Sequence, residues 1–283
     1  MRNLLRWLRD CTVCPNFCRV DRTVSAGGRC RSGAGLTISS ADLHFGEEPV
    51  LVGRGGSGTV FFTSCNLSCV YCQNYEISQL DYGTAVSAER FVSIVLGLQR
   101  RGAENINLVS PTHQAPRIFS ALAAARKSGL SLPIVYNCGG YENPEFLREL
   151  DGLVDIYMPD MKYGSDEAAQ KYSGVKEYVR WSRAALREMH RQVGDLAVNA
   201  AGTAVSGLLV RHLVLPGGIS GSRAVIDFIA GEISPATYLN IMDQYRPCFR
   251  AREYRELAGR VPEQTIHEIA AYARSKGLTR VLY

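Results

Sequence analysis

The sequence predicts an α/β fold of six strand-and-helix repeats, preceded by a cysteine-rich module organised by a metal. Three observations carry this. From Gly58 onward, short β-branched or aromatic runs alternate with helical stretches, and each run stops at Gly, Pro, Asn or Cys. Up to about Ala41 the chain is instead rich in Cys, Gly, Arg and Ser and has no sustained apolar period, as expected where a metal replaces a core. Of nine cysteines, seven fall in two tight groups within the first 72 residues, which fits metal ligation better than disulfides.

The strands expected are 59–63, 105–109, 133–137, 154–158, 208–215 and 238–242, each rich in Val, Ile, Leu, Tyr, Phe or Thr. Helices are expected at 88–101, 116–128, 144–150, 166–193 and 221–230. A last amphipathic helix is expected at 261–276, with Pro262 near its start and Gly277 just past its end. Six parallel strands with right-handed crossovers form either a partial barrel or a flat doubly wound sheet, and periodicity does not separate the two. No GxGxxG follows any strand. Polar residues gather where the strands end: Ser64 and Cys65, Ser110 to His113, Asn137 and Cys138, Asp160 and Lys162, and Asp243 to Arg246. That edge is the usual place for chemistry in parallel α/β folds. Glu47 and Glu48, before the first strand and beside Pro49, read as a turn carrying solvated charge.

With 283 residues, 46% hydrophobic and 21% charged, the chain is no disordered, collagenous or coiled-coil protein. A net charge of +5 does not call for a nucleic-acid partner. The longest apolar candidate, 197–210, is broken by Asn199, Gly202, Thr203, Ser206 and Gly207, short of the ~18 residues of a membrane span. The first ten residues carry Arg2, Arg6 and Arg9 without an apolar stretch and cleavage site, so a cytoplasmic location is expected.

Cys65, Cys69 and Cys72 form CxxxCxxC directly after the first strand. Three thiolates there can hold a four-iron cluster and leave one iron open, which implies chemistry. The alternative is a helix whose positions i, i+4 and i+7 bury three small residues, but Asn66 and Ser68 mark a loop. With Tyr71 before the third cysteine and a six-fold β/α pattern behind it, the chain resembles the radical S-adenosylmethionine (SAM) superfamily over roughly residues 45 to 250. Within it the chain is similar to the pyruvate formate-lyase activating enzyme group, especially a branch with an N-terminal cysteine cluster. Residues 44–49, 105–113 and 244–247 share in the resemblance.

The resemblance implies a partial (β/α)6 TIM-like barrel and an oxygen-sensitive enzyme in which Cys65, Cys69 and Cys72 hold a [4Fe-4S] cluster and SAM chelates its fourth iron. It places Tyr71 near adenine. Family members carry Gly-Gly-Glu after the second strand to grip the SAM amino group; Ser110-Pro111-Thr112-His113 stand there, with Thr112 or His113 as the expected replacement. Asp160-Met161-Lys162 resembles the DxK motif of activating enzymes, and Arg211 matches a SAM-contacting arginine on the fifth strand. Asn137 is expected at the site if its face turns inward, as is Asn107, whereas His212 points away from Arg211 and reads as a packing residue.

Cys11, Cys14, Cys18 and Cys30 supply four thiolates, enough to close a second metal site holding zinc or an auxiliary [4Fe-4S] cluster, with Arg19, Arg22, Arg29 and Arg31 to offset its charge. Cys138 and Cys248 either donate a hydrogen atom to a substrate radical, as cysteines do in radical SAM epimerases, or are small buried residues. The expected organisation is a metal module over 1–45, a barrel over 46–250 and a helical segment over 251–283. The expected reaction is hydrogen abstraction from a protein or peptide substrate, the resemblance naming a glycine of a glycyl-radical enzyme, with a reductant such as flavodoxin or ferredoxin. Alternatives are radical modification of a peptide or small molecule, and an iron–sulfur electron carrier or binding module without SAM turnover.

Overall fold

The six apolar runs form strands, each within a few residues of its expected bounds. The computed structural model describes residues 3–283. In chain order the elements are β1 (Leu36–His44), α1 (Pro49–Val52), β2 (Ser57–Phe62), α2 (Tyr75–Ser78), β3 (Thr84–Val86), α3 (Ala88–Arg100), β4 (Ile106–Val109), α4 (Ala115–Lys127), β5 (Ile134–Cys138) and α5 (Pro144–Glu149). They continue with β6 (Ile156–Pro159), α6 (Asp166–Ser173), α7 (Tyr178–Val193), β7 (Ala197–Val198), β8 (Ala204–Leu213), α8 (Ser222–Phe228), β9 (Tyr238–Met242), α9 (Glu263–Ser275) and β10 (Arg280–Leu282).

One sheet of order β10-β9-β8-β6-β5-β4-β2-β1-β3 results. From β2 to β10 its neighbours run parallel, β1 and β3 add an antiparallel edge, and the sheet does not close. This is the partial TIM-like barrel. Strand alternation sorts its two faces. Ile106 and Leu108 of β4 pack with Phe91, Val95, Ile118 and Phe119 of the surrounding helices, so Asn107 between them points into the concave interior. That interior is closed from below by α1, whose Leu51 packs on Val135, Ile156, Met158 and Leu209. Burying such a side chain is worth ~1.5–3 kcal/mol.

Four details differ from the sequence reading. Leu36–His44, inside the segment assigned to the metal module, is a nine-residue strand paired with β2. The segment after 251 contributes β10, parallel to β9. The single helix expected over 166–193 is two: Gly174 ends α6 in the left-handed region, where an added Cβ would also lie 2.4 Å from Arg29 Nη2. Glu47 and Glu48 are not solvated, because the α1 plug turns both inward; Glu48 is 6% exposed.

Candidate active site

At the C-terminal ends of the parallel strands lies a cavity of about 130 Å³ bordered by Cys65, Cys69, Cys72, Ser110, Asn137, Cys138, Asp160, Lys162 and Arg211. A second lobe of about 220 Å³ shares Cys69, Cys72, Asp160, Lys162 and Arg211 and adds Tyr71, Leu213, Met242 and Gln244. The backbone is strained where it enters. Ser64 and Ser110, just past β2 and β4, have φ of 68° and 55°, conformations that cost a residue with a Cβ and cluster at functional sites. Ser64 is held by its N–H to Ile77 O (2.8 Å) and its hydroxyl to Asp81 Oδ1 (2.7 Å). On the opposite wall Gly140, at φ 75°, lets its loop lie against β6, where an added Cβ would meet Asp160 O at 2.3 Å.

Each thiol of CxxxCxxC has a hydrogen-bond partner. Leu67 N–H donates to Cys65 Sγ (3.4 Å), while Cys69 Sγ lies 2.9 Å from Ser173 Oγ and Cys72 Sγ 3.2 Å from Ser78 Oγ. Burial pushes the Cys65 thiol up to about 12, and the neighbouring Cys69 adds to the effect. Only a strong positive partner would keep the Cys65 sulfur as a thiolate.

Beside them sits a buried charge array. Arg211 donates from Nε to Asp160 Oδ1 (2.9 Å) and from Nη2 to Asn137 Oδ1 (2.7 Å), with Glu47 Oε2 3.6 Å from Nη1. Lys162 Nζ donates to the other oxygen of Asp160 at 2.7 Å. Burial pushes the Asp160 carboxyl up, but Arg211 and Lys162 together hold it below the ordinary range. The pair is therefore not an exposed loop contact: the side chains are 14% and 15% exposed, and removing one partner would strand a buried charge. Glu48 takes a hydrogen bond from Asn240 Nδ2 (2.8 Å) on Oε1, and burial raises its carboxyl. Among the described residues, its buried Oε2 and both side-chain polar atoms of Asn107 have no partner. Glu47, Glu48 and Asn240 were missed in the sequence because their approach to Arg211 depends on the plug; the one local signal was two adjacent acids in a segment of otherwise short turns.

Thr112 and His113 do not border the cavity. The Thr112 hydroxyl donates to Glu142 Oε1 (2.7 Å), and His113 Nε2 lies 2.7 Å from Thr63 O; both side chains are buried behind the strand ends. Ser110 alone of that four-residue run reaches the site. Burial keeps His113 neutral, lowered to about 4. Cys138 borders the cavity at 3% exposure, whereas Cys248 lies half-buried beyond Tyr245 and borders neither lobe. Tyr71 borders the second lobe, its hydroxyl 2.6 Å from that of Tyr163. His212 is a satisfied packing residue between Met161 O (2.6 Å) and Ser222 Oγ (2.8 Å).

Comparison with known proteins decides the family. Residues 59–203 match the radical SAM superfamily, and MJ0674, an uncharacterized protein of Methanocaldococcus jannaschii, is 30% identical over 279 residues, covering 95% of this chain and 76% of its own. The chain belongs to the radical SAM superfamily. Radical SAM structures share the fold: Streptococcus suis SuiB bound to S-adenosylmethionine superposes with a TM-score of 0.53 at 8% identity over 78% of this chain and 47% of SuiB. The hydrogenase maturase HydG of Carboxydothermus hydrogenoformans gives 0.51 at 15% identity over 77% of this chain and 50% of its own. The chain thus spans about half the length of either.

Radical SAM membership implies a [4Fe-4S] cluster and SAM, and the residues fit them. Three sulfurs, each with a hydrogen-bonding neighbour, face one cavity, and a cationic pair stands beside it for a carboxylate. Among the described residues no three His, Cys, Asp or Glu side chains gather closely enough to bind one bare ion. Among them, too, no helix is long and apolar enough to cross a membrane.

Proposed function

We propose that this protein cleaves SAM reductively and takes a hydrogen atom from a protein or peptide substrate. The observation that carries the reading is the placement of the three CxxxCxxC thiols on the same cavity as the Asp160–Lys162–Arg211 array. Cys65, Cys69 and Cys72 would hold a [4Fe-4S] cluster, which with SAM bound would supply the one electron for reductive cleavage of SAM to methionine and 5′-deoxyadenosine, the latter formed with the hydrogen taken from substrate.

The chain's own residues bind and orient. Lys162 and Arg211 are the cations for the SAM carboxylate, Asp160 is the acceptor for its ammonium, and Tyr71 lines the lobe for the adenosine end. The resemblance to activating enzymes points to a glycine of a glycyl-radical enzyme as the hydrogen source, with flavodoxin or ferredoxin as reductant. Support for a peptide substrate comes from SuiB, also solved bound to its precursor peptide SuiA, over 75% of this chain and 44% of SuiB at a TM-score of 0.51. A second reading, epimerisation, is favoured by Cys138: its S–H borders the cavity where a hydrogen atom would be returned to a substrate radical.

The test is anaerobic 5′-deoxyadenosine formation from SAM with a strong reductant, comparing reconstituted wild type with Cys65→Ala/Cys69→Ala/Cys72→Ala. Product confined to the wild type is expected. No product from a protein that contains its cluster and binds SAM would overturn the reading.

A further inference from the structure

We propose that the N-terminal four-cysteine module holds a redox-active iron–sulfur cluster and is the electron-entry port of the Cys65–Cys69–Cys72 site; this rests on the function proposed above. Two features of the molecule carry it, one of charge and one of connection.

The charge is that of Arg22. This guanidinium is 2% exposed and, among the described residues, has no carboxylate partner. It donates to two carbonyls, Ser32 O and Gly33 O (both 2.9 Å), and its remaining nitrogen, Nη1, points at Cys11 Sγ at 3.8 Å. Arg29, whose buried Nε has no partner among the described residues, donates its backbone N–H to Cys18 Sγ at 3.3 Å. A buried cation is costly unless an anion compensates it. Neutral thiols do not compensate it, and no carboxylate among the described residues reaches Arg22. Thiolates formed by metal ligation supply the missing negative charge.

The connection is made twice. Asn16 Nδ2 lies within reach of both Cys14 Sγ (3.5 Å) and Asn66 O (2.8 Å), the residue next to Cys65. Arg29, bonded to Cys18 Sγ through its backbone, donates from Nη2 to Ser173 O (3.1 Å), and the Ser173 hydroxyl lies 2.9 Å from Cys69 Sγ. Two thiols of one group are thereby linked to two of the other across residues distant in sequence. A zinc ion, which has no redox chemistry, would gain nothing from such links, whereas a cluster would. The electron balance is simple. A one-electron carrier of the flavodoxin or ferredoxin class gives up one electron, the N-terminal cluster accepts it and passes it on, and SAM cleavage consumes it.

The experiment compares anaerobically reconstituted wild type with Cys14→Ser/Cys30→Ser. Expected are about four fewer irons per chain in the variant, with the electron paramagnetic resonance signal of the remaining cluster still perturbed by SAM. Stopped-flow reduction of that cluster by reduced flavodoxin should slow at least tenfold. Asn16→Ala, which keeps all four cysteines, should slow it severalfold at full iron content. Zinc in place of iron in the wild type, or reduction of the variant at the wild-type rate, would overturn the inference. Loss of the SAM-dependent signal in the wild type would instead strike the function on which it rests.

Discussion

The two cysteine groups place the same side chain in opposite settings. Cys65, Cys69 and Cys72 open onto a cavity, and the charges beside them come in pairs, Arg211 and Lys162 sharing Asp160. In the N-terminal group Cys11, Cys14 and Cys30 are buried, and the neighbouring Arg22 has no acid of its own among the described residues. Paired charges can rearrange to admit a zwitterion such as the methionine end of SAM, because each has a partner to exchange. An unpaired buried cation fixes the sign of whatever occupies its neighbourhood. The first setting suits binding and turnover, the second a permanent resident.

The comparison breaks most sharply at the ligands themselves. Cys65→Ser should bring 5′-deoxyadenosine formation to background, while Cys30→Ser should leave turnover measurable with an excess of strong chemical reductant; product analysis by chromatography separates them. Next comes Arg211→Met, which leaves Asp160 buried with one cation instead of two and Glu47 without its ion pair. A loss of about 3–5 kcal/mol in unfolding free energy is expected, partly recovered by adding Glu47→Gln, which removes the carboxylate left unpaired while Lys162 keeps Asp160. A full-size loss in the double variant would mean that packing, not charge, sets the cost.

Arg22→Met sharpens the comparison through its sign. With the N-terminal site loaded, the substitution should destabilise by about 1–3 kcal/mol, since it removes charged hydrogen bonds to buried groups. After the metals are chelated away it should be neutral or stabilising, because the uncompensated cation is gone. Thermal unfolding of the wild type and Arg22→Met in both states reads the reversal, and the same sign in both would contradict the charge argument.

The smallest effect is on pH. His113 and His212 are both lowered by burial to about 4 from an ordinary value of 6.5, so an unfolded chain takes up protons that the folded chain refuses, and stability falls as pH drops from about 6.5 toward 4. Glu142, beside the N-terminal group, is raised by burial to about 8 from 4.5, so the folded chain keeps a proton that the unfolded chain loses, and stability falls as pH rises from 4.5 to 8. Two histidines outweigh one carboxyl on the acid side. Stability should therefore peak near pH 6.5 and change by roughly 1.4 kcal/mol per pH unit for each net proton. Glu142→Gln should flatten the alkaline limb and steepen the acid limb above pH 4.5, which denaturant titrations between pH 5 and 8 would show.

The sequence by itself determined the elements and the local motifs. Strand segments announce themselves by composition, and three cysteines within eight residues need no distant contact to converge. Asp160-Met161-Lys162 was legible for the same reason, two side chains one residue apart at a strand end. The direction of Thr112 and His113 was not, because the left-handed turn at Ser110 swings the chain behind the strands, and sequence alone does not fix such a φ. Nor was the burial of Glu47 and Glu48, which depends on α1 plugging a barrel built from strands far along the chain. The meeting of the two cysteine groups belongs to the same class: Asn16 reaches Asn66 and Arg29 reaches Ser173 only after the sheet has formed. Local spacing chooses which groups can bind; the packing of distant segments chooses what they face.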